Sequence, residues 1–159
     1  MADQAGTLTE ARHLASCRCG AIKAEAIGDP VRVSVCHCLS CQQRTGSAFG
    51  AQARWPEAQV KVQGTTRSWQ RVADSGRKAE YFFCPICGST IAYTNESFPG
   101  LIAVPIGAFA DPQFPAPRYS VYENRQHGWV AILGEDVEHS STPSIERHRP
   151  RGQSSDDDS

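Results

Sequence analysis

Seven cysteines in three tight groups carry most of the chemical information in this chain: Cys17 and Cys19; Cys36, Cys38 and Cys41; Cys84 and Cys87. An odd number of cysteines in a chain without an export signal argues against a disulfide framework and for metal binding. Cys84-Pro85-Ile86-Cys87-Gly88 reads as a zinc knuckle. Two thiolates three residues apart on a tight turn share one metal, and Gly88 lets backbone amides approach the sulfurs. Cys17-Arg18-Cys19-Gly20 is the natural partner, because side chains at i and i+2 of an extended segment lie on one face and Gly20 permits a sharp turn. Together they make a closed four-thiolate site of the kind that holds structural zinc.

Cys36-His37-Cys38-Leu39-Ser40-Cys41 uses the three remaining cysteines. A metal with three protein thiolates keeps a fourth position for water or substrate. Two other completions stand beside that one. His37 could fill the position, although as the neighbour of two ligands in an extended segment it points the other way. A more distant side chain such as His127 could instead close a second structural site.

The elements that must position these groups are short and mostly extended. Ile22, Ala24 and Ala26 alternate with Lys23 and Glu25, and Val31, Val33 and Val35 repeat that period of two after the Gly28-Asp29-Pro30 turn. Further strands are expected at 49–53, 60–62, 67–70, 79–83, 90–94, 101–105 and 118–122, with turn residues between them. Only Leu39 to Arg44 reads as a short helical turn, beginning inside the second cysteine group and ending at Thr45-Gly46-Ser47. The expected fold is all-β, with several short antiparallel strands organised around two zinc sites. Residues 1–12 read as a flexible leader, 13–138 as the zinc-binding domain, and 139–159, ending in Ser-Ser-Asp-Asp-Asp-Ser, as a disordered polar and acidic tail.

Composition narrows the function classes. A chain of 159 residues supports one core. Its 40% hydrophobic and 21% charged content, with a formal net charge of −1, gives no field to recruit nucleic acid or an anionic membrane. No apolar run approaches the ~20 residues that cross a bilayer. The N-terminal residues carry Asp3 and Glu10 rather than a secretory signal, so a cytoplasmic protein is expected.

The three cysteine groups in this order, with Thr45-Gly46-Ser47-Ala48-Phe49 after the second and Phe83-Cys84-Pro85-Ile86-Cys87-Gly88-Ser89 at the third, resemble the glutathione-dependent formaldehyde-activating enzyme family. The likeness extends to Gly107-Ala108-Phe109-Ala110-Asp111-Pro112 and to Arg125 followed by Trp129. It implies a β-tent fold, similar to that of methionine-R-sulfoxide reductases. It also implies structural zinc on Cys17, Cys19, Cys84 and Cys87 and a catalytic or labile zinc, partly occupied, on Cys36, Cys38 and Cys41.

The activity implied is condensation of formaldehyde with glutathione to S-(hydroxymethyl)glutathione, classed as a carbon–sulfur lyase. A glutathione thiol at the fourth zinc position would ionise at neutral pH and lie next to the aldehyde. Three protein thiolates already donate to that zinc, which weakens it as a Lewis acid and makes docking its main service. Glutathione as co-substrate brings carboxylates, for which Arg44 and Arg54 are the candidate contacts. Trp55, Trp69 and Trp129 are expected to pack in the core or at strand edges. The competing reading is a non-catalytic, zinc-stabilised binding module, as in centromere-associated animal relatives. The odd cysteine count favours the enzyme, with a small-molecule thiol and an aldehyde as its partners and no nucleic acid or membrane.

Overall fold

The computed structural model describes residues 10–73 and 76–142. Most of the expected leader and of the expected tail therefore lies outside the described residues. Among the described residues, eleven strands form two sheets, with one short α-helix. The smaller sheet has the order β1 (Arg12–Ser16), β2 (Lys23–Ile27), β5 (Val60–Gln63), all antiparallel. The larger contains β3 (Arg32–Cys36), β4 (Gly50–Pro56), β6 (Arg67–Val72), β7 (Lys78–Phe83), β8 (Thr90–Asn95), β9 (Leu101–Pro105), β10 (Tyr119–Val121) and β11 (Glu138–Ser140), in the order β11-β10-β3-β4-β9-β8-β7-β6.

The mostly-β reading holds, with two differences in detail. β10 runs parallel to both β3 and β11, so the large sheet is mixed rather than wholly antiparallel. His139 and Ser140, read as the start of the tail, belong to β11: they pair with Ser120 and Val121, and His139 Nδ1 lies 2.6 Å from Glu123 Oε1. At the other end Arg12 already opens β1. The alternation in Arg-His-Leu-Ala-Ser is masked because the inward position beside Ala15 is His13, which packs as a ring among Trp55, Phe109 and Phe114.

The core fills the space between the sheets. Ala15, Ala24 and Ala26 from the small sheet, with Ile22 from the β1–β2 connection, meet Val33, Ala53, Trp55 and Val104 from the large one. Trp55 is fully buried and its indole N–H donates to the Gly28 carbonyl at 2.9 Å, so its one polar atom is satisfied inside the core. Trp69 lies on the edge strand β6, stacked on Tyr81. Trp129 departs from the expectation for the tryptophans: it is exposed, outside any strand, with its ring edge-on to His127.

On the other face of the large sheet, the β3 and β4 positions are also withdrawn from solvent. Arg32 and Ser34 on β3, and Gln52 and Arg54 on β4, are all buried, although each lies opposite the core-facing positions. Buried polar residues on a strand face that carries no core mark a lined cavity. The chain encloses one there, of about 280 Å³, between β3, β4, β7 and β8.

Candidate metal centres and the cavity beside them

The four cysteines of the first site come from the β1–β2 and β7–β8 connections. All four sulfurs lie within 4.8 Å of one another. The Cys17–Cys19 and Cys19–Cys84 separations are 3.6 and 3.7 Å. Four thiolates about 2.3 Å from a tetrahedral zinc would stand ~3.8 Å apart, so the set fits that ion. The local backbone prepares it: Gly20 and Gly88 take positive φ, and the Ile22 N–H donates to Cys17 Sγ at 3.2 Å. Register between β7 and β8 slips at Phe82/Phe83, where the strand turns into the knuckle.

The second site gathers Cys36 from the end of β3 with Cys38 and Cys41 from the helix α1 (Leu39–Thr45). Cys38 caps α1, its sulfur accepting the Cys41 N–H at 3.3 Å, and Cys41 follows one turn later on the same side. The Thr45 hydroxyl donates to the Cys41 carbonyl at 2.9 Å, and Gly46 ends the helix in a left-handed conformation. Crowding sets the charge of this triad. Hydrogen bonds from Cys36 and Cys41 lower the Cys38 pKa to about 2, while hydrogen bonds with Cys38 and Cys41 push the Cys36 pKa up. One thiolate is tolerated, and three together need a cation, which is the donor chemistry of a metal site.

Neither histidine completes this triad; among the described residues the cluster is three cysteines. His37 is fully buried, with Nε2 3.1 Å from Ser120 Oγ and its ring against Phe49. His127 Nε2–H donates to Gln42 Oε1 at 2.8 Å, and the Gln42 amide donates to the His37 and Arg125 carbonyls. The second-site sulfurs instead face the cavity. Besides Cys36, Cys38 and Cys41, its walls include Arg32, Arg54, Arg71, Arg77, Tyr81, Tyr93 and Tyr122.

Arg54 lines the cavity, almost wholly buried, between the rings of Phe98 and Tyr93. Arg44 does not line it. Its guanidinium sits behind the wall, 5.3 and 5.1 Å from the ring centres of Tyr81 and Tyr93, where its charge favours the Cys41 thiolate. Burial raises the phenol pKa of Tyr93 and of Tyr81, so both remain hydrogen-bond donors. Arg32, Tyr93 and Tyr122 belong to no motif. Arg32 nevertheless has a sequence signal, since it shares the parity of Cys36 along β3.

An antiparallel and a mixed β-sheet brought together at one cysteine cluster, with a second cysteine cluster opening on an arginine-lined cavity, define a β protein with two thiolate clusters that could hold metal ions. The family model described as glutathione-dependent formaldehyde-activating enzyme matches residues 12–125, most of the chain, and the chain belongs to that family. It is also similar to a Rhodobacter sphaeroides protein whose crystal structure was solved as a structural genomics target, at 22% identity over 60% of this chain and 85% of that one, with a TM-score of 0.46. No curated protein matches it. No helix among the described residues is long and apolar enough to cross a membrane.

Proposed function

We propose that this chain is a zinc-dependent enzyme of the carbon–sulfur lyase type that adds the thiol of glutathione to formaldehyde, giving S-(hydroxymethyl)glutathione. The observation that supports it best is a triad of sulfurs, one ligand short of a tetrahedral set, in the wall of an arginine- and tyrosine-lined cavity. Cys17, Cys19, Cys84 and Cys87 would hold a structural zinc, and Cys36, Cys38 and Cys41 the second ion. When bound, that ion supplies a positive charge that favours thiolate over thiol at neutral pH.

The chain's own residues do the rest. Arg54 receives a substrate carboxylate in a dry setting where a guanidinium contact is strong. Arg44 adds positive charge behind the triad. The phenols of Tyr81, Tyr93 and Tyr122 offer donors to the carbonyl oxygen as it gains its proton. The substrate loses its S–H bond and formaldehyde its C=O π bond, a C–S and an O–H bond form, and no electrons leave the pair. Holding both reactants in one cavity removes much of the entropic barrier. The seven free cysteines suit a reducing cytosol, where we place the protein.

The test is formaldehyde consumption by zinc-loaded protein with glutathione present. Wild type is expected to exceed the spontaneous rate and Cys38→Ser to fall to it. A wild-type rate equal to the spontaneous one would leave the zinc-stabilised binding module as the better reading.

A further inference from the structure

The cavity face of β3 and β4 is laid out in rows. The register pairs Arg32 with Arg54, Ser34 with Gln52, and Cys36 with Gly50. Moving along the strands, a row of guanidinium groups gives way to a row of neutral hydrogen-bonding groups and then to the sulfur triad. Arg32 and Cys36, four residues apart on one strand face, are separated by ~13 Å at 3.3 Å per residue.

Two features of these rows await a ligand. Arg54 is almost wholly buried, donates to Ser34 Oγ at 3.1 Å, lies over Phe98 and Tyr93, and forms no ion pair with a carboxylate among the described residues. Gln52 is 2% exposed and lines the cavity; its amide N–H donates to Ser34 Oγ at 2.9 Å, but its Oε1 acceptor is buried without a partner. An unmet buried acceptor of this kind destabilises the empty site, because it has lost its water and gained no partner. Ser34 Oγ accepts both of those bonds, which leaves its own O–H free to donate into the same space. Arg32 stands beside Arg54 with its guanidinium 3.8 Å from the Tyr119 ring centre. Burial, and next the charge of Arg54, lower the Arg32 pKa to about 10, a cost that a bound anion relieves. No Asp or Glu is among the described lining residues, and the neutral acceptor they offer a substrate ammonium is Gln52 Oε1.

We infer that the Arg32/Arg54 and Ser34/Gln52 rows hold the γ-glutamyl end of glutathione, with Arg54 and Arg32 on its α-carboxylate and Gln52 Oε1 on its α-ammonium, while the thiol reaches Cys36, Cys38 and Cys41. This rests on the glutathione reading above. The tripeptide presents its groups in the same order as the rows: an amino-acid head, an amide, then the thiol. The glycine arm is shorter and carries no ammonium, so it answers neither the span nor the unmet acceptor. Specificity then comes from the amino-acid head, and the glycine carboxylate is secondary.

Binding of glutathione, γ-glutamylcysteine and cysteinylglycine to zinc-loaded wild-type protein, measured by calorimetry, separates the possibilities without relying on a variant. γ-Glutamylcysteine should bind within about threefold of glutathione, and cysteinylglycine at least about tenfold more weakly, the loss of one charge-assisted contact. An analogue of glutathione lacking only the α-amino group should be weakened in wild type, and Gln52→Leu should abolish that preference. Equal binding of glutathione and cysteinylglycine, or loss of affinity on removing glycine alone, overturns this orientation while glutathione use stands. Failure of glutathione itself to bind overturns both.

Discussion

Tyr122 leaves β10 in a left-handed backbone conformation, with φ of 58°. A non-glycine residue there costs ~1–3 kcal/mol unless its surroundings hold it. Its side chain lines the cavity, and the charges of Cys36, Cys38 and Cys41, after burial, raise its phenol pKa. The strain is thus spent at the sulfur triad. Tyr122→Phe keeps the ring and the backbone, so it should leave the thermal midpoint within a degree or two and cut formaldehyde turnover by ~10²-fold. Unchanged turnover in that variant would remove Tyr122 from the chemistry. Trp55 is the opposite case, a residue whose work is packing. Trp55→Ala should cost ~3–5 kcal/mol in denaturant unfolding, because the hole it leaves lies between two sheets that cannot both close on it. At this scale the two cysteine clusters were legible from spacing alone. Arg32 and Gln52 were not, because a buried arginine or glutamine looks like any surface residue until the strand parity is tied to Cys36.

The two cysteine clusters serve different elements. Cys17 and Cys19 lie in a connection of the small sheet, and Cys84 and Cys87 in a connection of the large one. Cys19 and Cys84 are 65 residues apart in sequence. A metal there links the two sheets that enclose the core, and its binding free energy is folding free energy. Cys36, Cys38 and Cys41 join only the end of β3 to the first turn of α1. Cys84→Ser is therefore expected to give insoluble protein or a large fall in melting temperature, whereas Cys38→Ser gives a folded protein lacking the second metal. Equal destabilisation by the two substitutions would contradict this division. Strands with alternating aliphatic residues, such as β2, could be read from the sequence, and so could α1 with its Gly46 stop. β1 and β11 could not. One turns a half-buried histidine inward where the pattern calls for an aliphatic residue, and the other is a three-residue strand specified by its neighbour β10 rather than by its own composition.

For the molecule as a whole, the two faces of the large sheet divide stability from function. One face meets the small sheet in an apolar core, and the other surrounds the cavity with arginines, tyrosines and the sulfur triad. Metal content should follow the same division: purified protein should carry between one and two zinc ions per chain, one resistant to mild chelation and one lost to it. Metal analysis before and after chelator dialysis reads this directly, and zinc-free folded protein or an iron–sulfur chromophore would refute it. The all-β class was legible because alternation and turn residues are local signals. The cavity was not, because it is made by a strand order in which β10 joins β3 from far along the chain, as the contact between His37 and Ser120, 83 residues apart in sequence, records. The central claim is that the triad receives a substrate thiol, and one comparison tests it most directly: the thermal stability of zinc-loaded wild-type protein with glutathione against S-methylglutathione. A ligand that binds only the folded state raises its stability by mass action, and methylation removes the thiol while keeping both carboxylates and the ammonium. The account predicts a clear rise in melting temperature with glutathione, a much smaller one with the S-methyl compound, and no difference between them in Cys36→Ser or Cys41→Ser. Equal stabilisation of wild type by the two compounds, or by neither, would contradict it.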